Sequence, residues 1–308
     1  MSFSQLRYAL TAVLLSLLVF ACRGVDRDDA DGSTGELTLG ITDGPVEKAQ
    51  DVRLVLDGIE IIPEIGDPIL VEDLREDTID LLELQGGERE EVLRRFDLPD
   101  GRYESIRLIV NQIDSFIRDE NGEVFPLTIP AGEEDNLILE IGIALDEDND
   151  LEDFTIDVDL RRSIRVDNSV SPPEYFFRPR LRIVETSRSA TLRGTVDREL
   201  IEDTSCANEN SNEDGNAIYL YRENVVGEQD IQDDDEKDPF ATATVKFNDD
   251  SDEWEFAFGF LPIASYKAVF TCNAILDDPD DDDEAEMEFS APLTVNVQRG
   301  NTETLRFE

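Results

Sequence analysis

The chain has 308 residues, 74 of them acidic and 27 basic, for a formal net charge of −47. Such a body repels phosphate backbones and anionic head groups, so nucleic acid is excluded as a partner, and any hold on a membrane must overcome repulsion. Histidine is absent, which rules out a histidine-dependent serine or cysteine triad and a histidine-based zinc site.

Lysine occurs only at Lys48, Lys237, Lys246 and Lys267, and arginine supplies the other cations. No lysine follows a glycine-rich loop, so a phosphate-cradling nucleotide loop is missing too. An acid-rich, lysine-poor surface is expected of a protein that stays soluble in concentrated salt, where screening suppresses self-repulsion.

In chain order, Arg7 is followed by an apolar run from Tyr8 to Phe20, broken only by Thr11 and Ser16. The run is too short to span a bilayer and has the flanks of an export signal. Its end, Val19-Phe20-Ala21-Cys22, resembles the lipobox of bacterial lipoproteins. That resemblance implies a signal peptide over 1–21, cut before Cys22, with Cys22 multiply acylated and inserted in a membrane. Arg23 is not the aspartate that in such families marks inner-membrane retention, so the resemblance points to the outer membrane of the cell envelope. Residues 22–35 read as the lipidated cysteine and a flexible tether with ends roughly 20 Å apart.

Period-two alternation then dominates. Leu37, Leu39 and Ile41 alternate with polar residues, as do Ile106, Leu108 and Val110, and the set from Leu137 to Leu145. Phe154, Ile156, Val158 and Leu160 point one way, while Thr155, Asp157, Asp159 and Arg161 point the other. Strands with one buried and one wet face favour antiparallel sheets. Asn121-Gly122, between Phe116-Ile117 and Val124-Phe125, signals a hairpin. Glu88 to Phe96 could form two helical turns at most.

After a polar step at Thr186 to Ser189 the pattern resumes, with Trp254, Phe256, Phe258 and Phe260 on one face and Val295, Val297, Leu305 and Phe307 closing the chain. The predicted fold is all-β, with two antiparallel β-sandwich domains over 36–186 and 189–308. Leu98-Pro99 with Tyr103, and Leu261-Pro262 with Tyr266, repeat one spacing in both halves.

The segments Gly35 to Pro45, Leu98 to Tyr103, Phe154 to Leu160 and Tyr175 to Val184 resemble an exported bacterial family called domain of unknown function 4382. The repeated Leu-Pro-Tyr spacing resembles transthyretin-like and carboxypeptidase-regulatory-like sandwiches. Neither resemblance implies a chemistry.

Cys206 and Cys272 are the remaining thiols; export makes a disulfide between them the simplest expectation. Asp146, Asp148, Asp150 and Asp153 have the alternate-oxygen spacing of calcium loops, but Leu151 stands where a helix-loop-helix calcium site needs glycine. A solvated acidic loop is the simpler reading, and no cofactor is expected. Tyr219, Tyr221, Tyr175 and Phe176 could form a platform for sugar rings, or pack across strands. Trp254 belongs in the core.

The functional expectation is a lipid-anchored, non-catalytic binding or structural module of the envelope, meeting an envelope protein or glycan. The alternatives are a carboxylate-dependent glycoside hydrolase, favoured by a close pair of buried acids in one cleft, and a calcium-dependent adhesion module.

Overall fold

Alternating apolar residues become strands throughout a computed structural model that describes residues 34–46, 48–146, 151–202, 215–227, 230–232, 237–277 and 287–308. Cys22, the signal and residues 22–33 of the expected tether lie outside the described residues, as do Cys206, Asp148 and Asp150, whereas Thr34 and Gly35, expected in the tether, already pair in β1. The first half contains β1 (Thr34–Asp43), β2 (Ala49–Pro63), β3 (Ile69–Val71), β4 (Thr78–Asp80), β5 (Glu90–Pro99), β6 (Gly101–Val110) and β7 (Phe116–Asp119). It continues with β8 (Val124–Thr128), β9 (Ile138–Leu145), β10 (Leu151–Val158), β11 (Ile164–Asp167), β12 (Glu174–Phe177) and β13 (Leu181–Glu185). The second half contains β14 (Ser189–Val196), β15 (Ala217–Arg222), β16 (Ala241–Thr244), β17 (Lys246–Asn248), β18 (Glu253–Pro262), β19 (Ala264–Thr271), β20 (Leu293–Val297) and β21 (Thr302–Phe307). The described α-helices, α1 (Leu160–Ser163) and α2 (Arg198–Ile201), are single turns.

In the first half a four-stranded sheet, β13-β10-β1-β5, shares its core with a nine-stranded sheet running β11-β12-β8-β7-β2-β6-β9, with β3 and β4 paired to β2. Leu37, Leu39, Ile41 and Ile156 from one sheet bury against Leu54, Ile59, Ile61 and Ile106 from the other. The second half stacks β17-β18-β14-β21 on β16-β15-β19-β20, and Leu192, Phe256 and Phe258 meet Ile218, Leu220 and Tyr266. The fold is an all-β sandwich architecture with two cores. The segment Thr34–Glu308 nevertheless clusters as one compact unit.

The two halves repeat one topology. The opening strand of each half, β1 or β14, pairs antiparallel with the strand ending in Leu-Pro, β5 or β18, and parallel with a late strand, β10 or β21. In the facing sheet, β2-β6-β9 corresponds to β15-β19-β20, with the tyrosine-bearing strand central each time. The tyrosine has the same partner in both: Tyr103 Oη donates to the Pro99 carbonyl at 2.6 Å, and Tyr266 Oη to the Pro262 carbonyl at 2.7 Å. This ties the turn to the strand that leaves it, as in the tyrosine corner of other sandwiches.

The sheets are antiparallel-rich, with parallel pairs at β1–β10, β14–β21 and β8–β12; the long chain between each pair provides the crossover that parallel neighbours need. Two sequence expectations need correction. Glu88 to Phe96 is no helix, since 90–96 lie in β5, where a bulge opposite Leu37 to Leu39 puts Arg95 at φ +49° and breaks the two-residue period that would have disclosed a strand. Finally, the polar face of β10 is not wet, for Thr155 and Asp157 are buried. The hairpin at Asn121-Gly122 forms as expected, with Gly122 at φ +83° and the Asp119 carboxylate accepting from the Asn121 and Glu123 amides.

Candidate functional site

The covered polar face of β1 and β10 leads to the seam between the halves, where three arginines of the first half reach into the second. Arg161, at the start of α1, donates to Tyr219 Oη at 2.6 Å, and Tyr219 donates to Asp277. Arg162 forms an ion pair with Asp238 at 3.3 Å, largely away from solvent. Arg182 on β13 donates to the Phe240 carbonyl at 2.6 Å and pairs with Asp157 through its other terminal nitrogen. Its guanidinium lies 4.4 Å from the centroid of the Phe240 ring, and that of Arg222 lies 3.9 Å from the same ring. A planar, always-charged group with several donors suits such stacked and forked contacts better than lysine.

The backbones approach as well. A Cβ added to Gly259 on β18 would sit 2.3 Å from Gly87 Cα, so only glycine permits this crossing.

Beside these contacts the seam opens into a cleft of about 820 Å³, within the size range of small-molecule pockets. The first half contributes Thr42 and Asp43 at the end of β1, Asp157 at the end of β10 with Asp159 just beyond, and Arg182. The second contributes β14, β16, β17, β18 and β21, including Thr242, Lys246 and Glu255.

Asp43 is the most unusual group on this wall. It is 6 % exposed, and neither carboxylate oxygen has a hydrogen-bond partner. Burial pushes its pKa well above the usual aspartate range, and the neighbouring Asp157 and Asp159 carboxylates push it further. The amides of Gly44 and Leu160 offset part of that without reaching hydrogen-bond geometry. Thr242, 4 % exposed on the opposite half, has an unpartnered hydroxyl, and Arg182 Nε is unpartnered too. Asp159 caps α1 by accepting from the Arg162 amide at 3.2 Å, and its pKa is raised by burial against the opposing pull of Arg162 and Arg182.

The sites expected from sequence lie elsewhere. Asp146 is exposed, whereas Asp153 on β10 accepts from Arg89 at 2.8 Å and from Thr186 at 2.9 Å. Among the described residues no group of three or more acidic or thiol ligands could hold a metal ion. Cys272 is buried just after β19. Of the two readings of the tyrosines, packing holds and the platform does not: Ala217 to Tyr221 are fully buried on both faces of β15. Tyr219 and Tyr221 form a further small core with Val225 and Ile231, and the Phe289 ring sits 5.4 Å from that of Tyr219. Tyr175 is half-buried, 5.0 Å from the Phe125 ring, and Trp254 is core.

Sequence reasoning missed Asp43, Thr242 and Arg182 as one site. The available signal was a Thr-Asp-Gly-Pro step ending an apolar strand, which in sequence reads as an ordinary turn.

Residues 34–179 match the family model described as Domain of unknown function (DUF4382). The DUF4382 segment supplies Asp43, Asp157 and Asp159; Arg182 and Thr242 lie beyond it, so the cleft is made jointly by that segment and by the C-terminal part of the chain. No curated protein matches the chain. Among solved structures, the chain is similar at 10% identity to a candidate adhesin from Bacteroides ovatus, covering 91% of this chain and 94% of that one with a TM-score of 0.20. It is similar at 12% identity to the minor pilin GBS52 of Streptococcus agalactiae (88% and 94%, TM-score 0.19). The fimbrial anchor protein of Porphyromonas gingivalis is similar at 10% identity (85% and 82%, TM-score 0.18). Likeness at this level transfers no function.

Proposed function

We propose that the chain is a non-catalytic binding or structural module of the bacterial envelope, held at the outer membrane by acyl chains on Cys22 and binding a glycan or an envelope protein through the cleft. The observation that carries the reading is the cleft itself: two sandwiches locked by arginines enclose a pocket whose wall carries buried polar groups with unmet hydrogen-bonding capacity. Unmet groups of this kind call for a bound molecule or ordered water. The chain offers no histidine to work as general base there. A Cys206–Cys272 disulfide in the second half belongs to the same proposal, supported by the burial of Cys272.

One observation favours the carboxylate hydrolase as a second reading. Asp43, raised well above its ordinary range, and Asp157, paired with Arg182, line the same cleft. Acids held in contrasting environments are what glycoside cleavage requires. Incubating detergent-solubilised mature protein with envelope polysaccharides separates the two. The binding reading expects retention of polysaccharide with no new reducing ends; release of reducing ends that disappears in Asp43→Asn would replace it with the hydrolase.

A further inference from the structure

We infer that the cleft at the seam takes an uncharged polyhydroxylated ligand, a short neutral oligosaccharide. This deepens the reading of the cleft as a binding site and rests on it.

The charges on the wall nearly balance. With the uncharged form of Asp43 favoured by burial, Asp157, Asp159 and Glu255 stand against Arg182, Arg193, Lys246 and Arg306, in a chain whose acids outnumber its bases by 74 to 27. A pocket this close to balance lacks the surface's pull on cations and exerts only a weak one on anions. What it offers is hydroxyl chemistry: Thr195, Thr242, Thr244 and Thr304 come from the second half, each able to donate and accept.

Asp43 fits the same class. Two neighbouring carboxylates and burial favour its uncharged form, which donates through one oxygen and accepts through the other, matching a sugar hydroxyl. A metal ion would need clustered acidic ligands, and the described residues hold no such group. The unpartnered oxygens of Asp43 and the unpartnered hydroxyl of Thr242 come from opposite halves, so one ligand satisfying both would bridge the seam.

The test is calorimetry on detergent-solubilised mature protein with neutral tetrasaccharides built from glucose, galactose, mannose or N-acetylglucosamine, at low and at molar salt. At least one is expected to bind with an affinity that salt changes less than about threefold, since no counterions are displaced. Thr242→Val is expected to weaken it about tenfold, one lost hydrogen bond. Asp43→Asn, which keeps size and stays neutral, is expected to remain within about threefold, whereas Asp43→Leu abolishes binding; circular dichroism checks that each variant folds. Loss of binding in Asp43→Asn, or an affinity that falls steeply between low and molar salt, overturns the uncharged-ligand assignment. No heat with any of the four leaves the cleft holding water alone and also overturns it. Either failure spares the module reading, while sugar binding accompanied by cleavage would sink non-catalysis and keep the ligand class.

Discussion

Asp277 shows how the seam couples to pH. Burial pushes its pKa to about 7, against the pull of Arg161 and the hydrogen bond from Tyr219. In the unfolded chain the same carboxyl titrates near 3.8, so between the two values the folded state retains a proton that the unfolded state has lost. Its contribution to stability is therefore full below about pH 4 and is lost as pH rises through 7. Chemical denaturation from pH 5 to 8 should show wild type losing stability relative to Asp277→Asn, on the order of a few kcal/mol; parallel pH profiles would contradict the assignment. The paired tyrosine corners make a second residue-scale prediction. Tyr103→Phe should cost about 1 kcal/mol by urea melt, since it removes one hydrogen bond to a carbonyl and little packing, and Tyr266→Phe should cost more, because its hydroxyl also accepts from Arg222 at 3.0 Å.

At the scale of elements, the strands follow from period-two alternation wherever one face alone is buried, and β1, β6 and β9 were legible for that reason. β5 was not, because its bulge interrupts the period; β15 misled, because a second small core covers the face that alternation assigned to solvent. The candidate site was hardly legible, since Asp43 and Thr242 are far apart in sequence and meet only through the seam between halves. The glycines there are equally position-bound. Gly259→Ala puts a methyl group against Gly87 and should cost about 1–3 kcal/mol while loosening the cleft; a thermal melt indistinguishable from wild type would mean the halves do not cross where the structure has them.

The whole molecule combines a strongly negative surface with a charge-balanced seam. Self-repulsion at −47 predicts that molar salt raises the urea midpoint, because screening relieves repulsion present in the compact state and weaker in the unfolded one. A midpoint unchanged between low and molar salt would remove the reading of a salt-adapted surface. A Cys206–Cys272 disulfide would contribute about 4 kcal/mol by the chain-entropy argument, so reduction should lower the stability of wild type and leave Cys272→Ser unaffected.

The central claim, a binding body displayed by a lipid anchor, is tested most directly by intact-mass spectrometry of protein purified from membranes of its own cells. The expected result is a mature chain beginning at Cys22, heavier than its polypeptide by the mass of several acyl chains, with release or failed maturation in Cys22→Ser. An unacylated chain recovered from the soluble cell interior would contradict it.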